Sequence, residues 1–184
     1  MFVAAWPDGE TKERLSTLDL GVEKGLRPVG PERWHVTLRF LGEVDEALVP
    51  ALSGGLTRSL ADVPGPARCT LGPATAWFTG VRVLQVPAAG LEGVAAAVRA
   101  ATVPIVAEAA RGEPPFNGHL TLARAKGRRR ADPSARALAG IPFDASFPVE
   151  HVDLVASTPS PRGHFYTTVT EAPLGQGPSP RRDT

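Results

Sequence analysis

The tetrapeptide His-x-Thr-Leu occurs twice in this chain, as His35–Leu38 and as His119–Leu122, and the whole chain has only four histidines. Side chains alternate between the two faces of a β-strand, so each extended copy presents His and Thr on one face and its two aliphatic residues on the other. Two such strands lying side by side would form a pocket with two imidazoles and two hydroxyls. Two acid/base groups beside two hydrogen-bond donors suit phosphoester chemistry.

The repeat also predicts the architecture. In each half of the chain the motif strand is followed by a helical pattern, although the two halves share little identity outside the tetrapeptide. We therefore expect an ancient duplication that produced two similar lobes with the motif strands at the centre. Helices are predicted over residues 11–22, after Asp45, around residues 91–98 and after Asp132-Pro133. Strands are predicted over residues 2–6, 35–41, 68–71, 82–86, 119–125, 143–149, 152–156 and 165–169.

Size and composition narrow the class of protein. A chain of 184 residues with 42% hydrophobic side chains fits one domain, predicted over residues 1–174, with a disordered Gly/Pro/Ser/Arg-rich tail over residues 175–184. The net charge is only +1, so contact with nucleic acid requires a local basic patch. The single cysteine, Cys69, excludes an internal disulfide, and no segment approaches the ~20 apolar residues that span a membrane. These features predict a cytoplasmic monomer without a membrane partner.

The reaction that fits the repeated motif is the opening of a cyclic phosphodiester, which needs an activated water and a protonated leaving oxygen. An imidazole with a pKa near ~6.5 can perform either task close to neutral pH. His35 and His119 are therefore the candidate catalytic pair, one neutral and one protonated, and the rate should be bell-shaped in pH. Thr37 and Thr121 are candidate phosphate ligands, because charge builds up on the nonbridging oxygens. The scheme requires no cofactor.

Other chemistries have less support in the sequence. A metal centre would need a third or fourth ligand, and His151 and His164 lie on other predicted strands, without His-x-His or Cys-x-x-Cys spacing. The chain has no Gly-x-Ser-x-Gly elbow, no P-loop and no Gly-x-Gly-x-x-Gly fingerprint. The sequence therefore predicts no metal site.

Basic and aromatic residues near the motifs are candidates for RNA binding. Arg124, Lys126 and Arg128 follow the second motif and could meet phosphates, although alternation from His119 places Arg124 on the opposite strand face, from where it would have to fold over the pocket rim. Four aromatic residues are candidates for base stacking: Trp34, Phe40, Trp77 and Phe78. Of these, Phe40 is expected in the core, whereas Trp77 and Phe78 are expected in a loop.

These residues resemble a known family. The segment Pro31-Glu32-Arg33-Trp34-His35-Val36-Thr37-Leu38-Arg39-Phe40-Leu41-Gly42-Glu43-Val44 is similar to the first signature of the RNA 2′,3′-cyclic phosphodiesterases. These enzymes are two-histidine phosphoesterases that were first described as 2′-5′ RNA ligases. The segment Phe116-Asn117-Gly118-His119-Leu120-Thr121-Leu122-Ala123-Arg124 is similar to the second signature, usually written Pro-His-Leu-Thr-Leu-Ala-Arg. The resemblance runs from Met1 to about Leu174 and includes the segments around Arg82–Leu84 and Tyr166.

The resemblance implies a bilobal α+β fold, with two antiparallel sheets around a central cleft, helices on the outside and pseudo-two-fold symmetry. It implies metal-independent hydrolysis of a terminal 2′,3′-cyclic phosphate to a 2′-phosphate, and reversible 2′-5′ ligation of tRNA halves. By this resemblance His35 is the general base and His119 the acid, while Thr37 and Thr121 hold the phosphate. The chain departs from the family at Gly118, where Pro is usual and where the change is expected to loosen the start of the strand. It also departs at Gln85, where an aromatic residue is common.

Two alternatives remain open at this stage. The same fold could act on a small cyclic nucleotide or on ADP-ribose cyclic phosphate, which the low net charge favours, whereas the Arg-rich segment favours RNA. The chain could also be a non-catalytic RNA-binding module, although binding alone does not require two imidazoles.

Overall fold

The structure is a computed structural model that describes residues 1–20, 25–78, 81–126, 133–160 and 163–176. Within these ranges the chain forms three α-helices: α1 (Gly9–Ser16), α2 (Val49–Leu60) and α3 (Glu92–Thr102). Short 3₁₀ helices cover Pro31–Arg33, Glu46–Leu48, Ala107–Ala110 and Pro133–Leu138. The last of these stands where the sequence predicted a helix after Asp132-Pro133, and Asp132 itself lies outside the described residues.

Strands are the most abundant regular element of the described chain, and the predicted α+β class is confirmed. The first six strands are β1 (Phe2–Ala5), β2 (Leu26–Pro28), β3 (Val36–Phe40), β4 (Pro64–Gly65), β5 (Ala67–Leu71) and β6 (Ala76–Phe78). The next six are β7 (Val83–Ala89), β8 (His119–Ala125), β9 (Ala145–Val149), β10 (His151–Ser160), β11 (Gly163–Pro173) and β12 (Gly175–Gln176).

The two motif strands meet at the centre of the sheet. Eight strands follow one another in the order β11-β10-β1-β3-β8-β7-β5-β9, while β2 pairs with β8 and β6 pairs with β7. All of these pairs are antiparallel, and β3 contacts β8 through the pair Val36–Leu120. The two expected sheets are therefore joined into one ten-stranded sheet, with a motif strand on each side of the junction.

Each motif strand contains a β-bulge at the last residue of its tetrapeptide. Across β1–β3, Ala4 pairs with Thr37 but Val3 pairs with Arg39, so Leu38 is an extra residue. Across β7–β8, Gln85 pairs with Thr121 but Leu84 pairs with Ala123, so Leu122 is the extra residue. An extra residue on one strand shifts all later side chains to the other face.

The bulges decide which side chains share a face with the histidines. Beyond Leu38, Arg39 turns inward and is buried, whereas Phe40 comes to the face of His35 and Thr37. Beyond Leu122, Ala123 is buried and Arg124 comes to the face of His119 and Thr121. The strict alternation that placed Arg124 on the opposite face is therefore wrong, and so is the prediction that Phe40 belongs to the core.

The helices lie on the other face of the sheet. Thr102 of α3 accepts a hydrogen bond from the buried Arg39, and Ser53 of α2 is 2.7 Å from Thr170 of β11. The two helices pack closely at Gly55, where an added Cβ would lie 3.3 Å from the carbonyl oxygen of Ala101. Their apolar residues, among them Leu52, Leu56, Leu60, Val94 and Val98, form the main core with the sheet.

Several predicted boundaries differ from those in the structure. Helix α1 ends at Ser16 because the hydroxyls of Ser16 and Thr17 bond back to the carbonyls of Lys12 and Arg14, which competes with further helix. Asp45 caps the 3₁₀ helix, and α2 begins after it, with Pro50 in the first turn where its missing N–H is tolerated.

Two other predictions require correction. Trp77 and Phe78 belong to strand β6, paired with Leu84 and Val83, and do not lie in a loop. The predicted tail was to begin at Gly175, but Gly175–Gln176 forms β12, parallel to β4, because the Gly175 N–H donates to the Val63 carbonyl at 2.9 Å. Residues 177–184 lie outside the described part of the chain. No described helix is long and apolar enough to cross a membrane.

Candidate active site

The sheet brings the two motif histidines, on the neighbouring strands β3 and β8, into one cleft of about 630 Å³. His35, Thr37, His119 and Thr121 all line it, as the alternation of His and Thr predicts. The remaining lining comes from strands distant in sequence: Phe2, Arg27, Pro28, Val29, Arg33, Phe40, Arg124, Ala125, Ser157, Gly163, His164 and Tyr166.

Both imidazoles are oriented by the backbone two residues upstream. His35 Nδ1 lies 2.6 Å from the Arg33 carbonyl oxygen, and His119 Nδ1 lies 2.9 Å from the Asn117 carbonyl oxygen. A carbonyl oxygen only accepts hydrogen bonds, so Nδ1 carries the hydrogen in each ring. Nε2 is then the nitrogen available for proton transfer in both histidines.

Aromatic rings surround His35. Its ring stacks on Phe2 at 4.9 Å between centroids, and Tyr166 approaches edge-on at 5.4 Å. Trp6 lies on a third side of the imidazole, with 5.2 Å between the ring centroids. This burial lowers the pKa of His35 to about 4, while the bond to Arg33 opposes the shift and the charges of Arg124 and His119 add to it. His35 is therefore neutral at pH 7, as a general base must be.

His119 has a more open environment. One face of its ring stacks on Phe78, with 5.1 Å between centroids and 19° between the planes. Phe78, predicted to stack on a base, is an exposed side chain. The two halves of the site are therefore similar in backbone but different in solvation. The imidazole of His35, beside β1, is enclosed, whereas the imidazole of His119, beside β6, is more accessible.

Arginine side chains collect at one end of the cleft. Arg27 of β2 pairs directly across from Arg124 of β8, and Arg33 lines the same cavity. Of the predicted RNA-binding residues, Arg124 lies in the cleft, Lys126 is exposed but does not line it, and Arg128 is outside the described residues. Trp77 packs against the main core.

Comparison with known proteins shows the family of this chain. Residues 7–159 match the family model described as the 2′-5′ RNA ligase superfamily. The chain belongs to this superfamily. It is 31% identical over 179 residues to the RNA 2′,3′-cyclic phosphodiesterase of Thermus thermophilus, covering 86% of this chain and 84% of that one.

Solved structures of the superfamily share the fold. A crystal structure from Thermus thermophilus superposes with a TM-score of 0.81 at 30% identity, covering 97% of this chain and 98% of that one. Escherichia coli LigT complexed with NADP⁺ superposes with a TM-score of 0.68 at 28% identity, covering 95% of this chain and 97% of LigT. The resemblance inferred from the two signatures is confirmed.

One of the two departures from the superfamily signature, Gly118, has a structural explanation. Gly118 does not loosen the strand, because its carbonyl accepts from Ala88 N at 2.9 Å and an added Cβ would lie 2.3 Å from the Ala88 carbonyl oxygen. Close approach of β7 to the start of β8 therefore requires glycine here. Gln85 is buried directly across from Thr121, and its Oε1 has no hydrogen-bond partner among the described residues.

Several residues around the cleft were not among the candidate site residues predicted from the sequence. Trp6 is fixed by a 2.9 Å hydrogen bond from its Nε1 to Asp153 Oδ2, which also accepts from Thr168 at 2.9 Å. These contacts join the residue that follows β1 to β10 and β11, so no local pattern could reveal them. Arg27 and Tyr166 are likewise brought in by long-range strand pairing. His164, to which sequence reasoning gave no role, lines the cleft and lies 2.9 Å from Ser157 Oγ.

One group of side chains could hold a metal ion, judged over the described residues only. The ligand atoms of His151, Asp153 and Glu171 lie within 4.8 Å of one another. None of the three lines the cleft, so this group stands apart from the two motif histidines.

Proposed function

We propose that this protein hydrolyses the terminal 2′,3′-cyclic phosphate of RNA to a 2′-phosphomonoester by acid/base catalysis with two histidines. The observation that carries the proposal is the pair His35 and His119 in one cleft, each with Nδ1 bonded to a backbone carbonyl and Nε2 available. The 31% identity to a protein named for this activity supports it.

The proposed step follows from the two environments. His35, neutral because burial lowers its pKa to about 4, accepts a proton at Nε2 from the attacking water. The water oxygen bonds to phosphorus, the P–O3′ bond breaks, and protonated His119 gives its Nε2 hydrogen to the 3′ oxygen. A 2′-phosphate and a free 3′-hydroxyl result. Each proton transfer contributes roughly 10²–10⁴-fold to the rate.

The remaining polar groups stabilise the phosphorane-like transition state. Thr37 and Thr121 are half-buried on the walls of the cleft, where their hydroxyls donate to the nonbridging oxygens. Arg124 supplies positive charge on the same face. This set provides base, acid and charge stabilisation from side chains alone, so we propose a metal-independent and cofactor-independent reaction.

The same geometry accommodates ligation. If the 5′-hydroxyl of a second RNA replaces water, attack on the cyclic phosphate gives a 2′-5′ linkage, and His35 and His119 exchange roles in the reverse direction. LigT, which shares the fold, has been crystallised with NADP⁺. NADP⁺ carries a 2′-phosphate on its adenosine ribose, the same group as the proposed product, and this supports a nucleotide-binding cleft in our chain.

A second candidate substrate is a small cyclic nucleotide or ADP-ribose cyclic phosphate, which the net charge of +1 favours. Comparison of kcat/KM on a nucleoside 2′,3′-cyclic phosphate and on a cyclic-ended oligonucleotide separates the two. Equal values would exclude a dedicated RNA role.

We also propose that the protein acts as a cytoplasmic monomer, consistent with Cys69 as a free, buried thiol.

The test of the activity is hydrolysis of an RNA oligomer with a 2′,3′-cyclic phosphate end in the presence of EDTA, with the product isomer identified by chromatography. We expect a 2′-phosphate, loss of activity in His35→Ala and in His119→Ala, and full activity in the matched control His151→Ala, which lies outside the cleft. A 3′-phosphate would mean that the other ester oxygen leaves. Unchanged hydrolysis in either cleft variant would refute the mechanism.

A further inference from the structure

Three potential metal ligands lie together on strands β10 and β11, outside the cleft. His151 and Asp153 are two residues apart on β10, so their side chains share a face, opposite to that of the core residues Val152 and Leu154. Glu171 of β11 pairs directly across from Asp153 and therefore presents its carboxylate on the same face. The antiparallel register thus brings together one imidazole and two carboxylates, whose ligand atoms lie within 4.8 Å of one another.

Asp153 distinguishes this group from a chance cluster of surface charges. Its side chain is only 8% exposed. One oxygen, Oδ2, accepts hydrogen bonds from Trp6 Nε1 and from Thr168 Oγ1, both at 2.9 Å. The other, Oδ1, is buried, has no hydrogen-bond partner among the described residues and lies 3.8 Å from His151 Nε2, which is too long for a hydrogen bond. A buried carboxylate oxygen without a partner is costly, and this one points toward the other two ligands.

The charges of the group also favour a bound cation. Like charges directly opposite each other on neighbouring strands are destabilising, and Asp153 faces Glu171 in this way. Within the described ranges neither carboxylate forms an ion pair with Lys or Arg, and His151 is the basic side chain beside them. A divalent cation between the two carboxylates would offset both negative charges and complete the contacts of Asp153 Oδ1.

The donor set selects the kind of ion. Mg²⁺ and Ca²⁺ take oxygen ligands, whereas an imidazole suits zinc and its neighbours in the first transition row. Three atoms within 4.8 Å of one another share a point about 2.8 Å or less from each, so shifts below about 1 Å give the zinc distances of ~2.0–2.2 Å. His151 and Glu171 are exposed and free to make such shifts. Three protein ligands leave the fourth tetrahedral position to water.

We propose that His151, Asp153 and Glu171 bind a Zn²⁺ ion, with Asp153 held in place by Trp6 and Thr168. The site is independent of the proposed function, because none of its three ligands lines the cleft and the proposed hydrolysis uses no metal. Its role is structural. The ion links β10 to β11 directly, and through Asp153 and Trp6 it links both strands to the residue that follows β1.

The first experiment is isothermal titration of the untagged, EDTA-treated and dialysed protein with ZnCl₂. We expect one tightly bound Zn²⁺ per chain, and an affinity at least about tenfold weaker in His151→Ala and in Glu171→Gln, since each removes a ligand. The matched controls are His164→Ala and Glu10→Gln, which change a histidine and an exposed glutamate elsewhere and should bind like the wild type. Absence of binding by the wild type, or equal affinity in all five proteins, would overturn the proposal.

A third variant tests the support of Asp153. Thr168→Val removes the hydroxyl that donates to Asp153 Oδ2 but leaves all three ligands in place. It should weaken Zn²⁺ binding roughly 10–100-fold, as loss of a hydrogen bond to a metal ligand commonly does. The neighbouring Thr167→Val is the control and should retain wild-type affinity. If Thr168→Val also retained it, the proposed support of Asp153 would be wrong.

Thermal melts separate metal binding from a purely structural role of these side chains. Zn²⁺ should raise the melting temperature of the wild type, because an ion that binds only the folded chain stabilises it by mass action, and should not raise that of His151→Ala. Without metal, Glu171→Gln should melt at or above the wild-type temperature, since it removes the repulsion with Asp153. With excess Zn²⁺ the order should reverse. A wild-type melting temperature that Zn²⁺ leaves unchanged would contradict the proposal.

Discussion

The enclosure of His35 predicts that catalysis persists in acid well below the pH at which an exposed histidine becomes protonated. Its pKa of about 4 contrasts with the ordinary value near ~6.5. At about pH 5.5 such a group is roughly 97% neutral, whereas an unperturbed histidine is roughly 9% neutral. The acid limb of kcat/KM should therefore fall near pH 4, and activity at about pH 5.5 should be roughly tenfold higher than an exposed base would allow.

Removing one of the aromatic side chains that enclose His35 should shift the acid limb of the pH–rate profile. Tyr166 meets His35 edge-on at 5.4 Å and is half-buried, so Tyr166→Ala admits water to the imidazole and raises its pKa toward the ordinary value. The acid limb should shift upward by about 1–2 pH units, in the range that desolvation produces. The adjacent Phe165→Ala is the matched control, because it changes the same strand without touching the cleft.

The assay is a pH–rate profile of kcat/KM for wild type and both variants, with the His35 ring proton followed by NMR titration in parallel. The position of the limb is the readout, because Tyr166 also lines the cleft and its loss can change the amplitude. A wild-type acid limb near pH 6.5, or a Tyr166→Ala limb that coincides with the wild type, would refute the argument that burial keeps His35 neutral.

Three further predictions concern stability. His35 is protonated near pH ~6.5 in the unfolded chain but only near pH 4 in the folded chain. This difference lowers the free energy of unfolding by up to about 3 kcal/mol as the pH falls from the higher value to the lower one. Urea unfolding at these two pH values should show a larger loss of stability in acid for the wild type than for His35→Gln. Gly118→Ala should lower the stability by about 1–3 kcal/mol, measured by thermal unfolding, because the added Cβ meets the Ala88 carbonyl. The control Gly93→Ala, which adds its Cβ in open space on α3, should be neutral or stabilising. Equal melting points for the two variants would contradict this prediction. Arg39→Ala should destabilise by about 3–5 kcal/mol, since Arg39 is buried against Glu113 and Thr102, yet leave KM unchanged; a change in KM would place Arg39 in the cleft.

The sequence predicted the placement of the residues at the centre of the cleft, but not of those at its edges. The His/Thr alternation correctly placed His35, Thr37, His119 and Thr121 in one cleft, because strand geometry over three residues is strictly local. The same rule failed for Arg124 and Phe40, because each follows a β-bulge, at Leu122 or Leu38. A bulge arises from pairing with a neighbouring strand, which the pattern within one strand does not reveal. Local patterns therefore predict a strand's faces only up to its first irregularity.

The environment of the histidines was beyond the reach of the sequence for a related reason. Phe2, Trp6 and Tyr166 surround His35 from the two ends of the chain, and their meeting depends on β1 lying between β3 and β10. The order in which the base and acid roles fall on the two motifs could not be read from the motifs themselves. The rings around His35 support the order that we propose, because they desolvate its imidazole and so favour its neutral form.

The backbone carbonyls that orient the two imidazoles also affect how this active site tolerates mutation. In many hydrolases an acidic side chain fixes the tautomer of the catalytic histidine, so one substitution can disable the base. Here Arg33 and Asn117 act through their main-chain oxygens, which every amino acid carries. Both positions can therefore diversify without changing the proton chemistry. A saturation library at Asn117, whose side chain does not line the cleft, should therefore contain many active members.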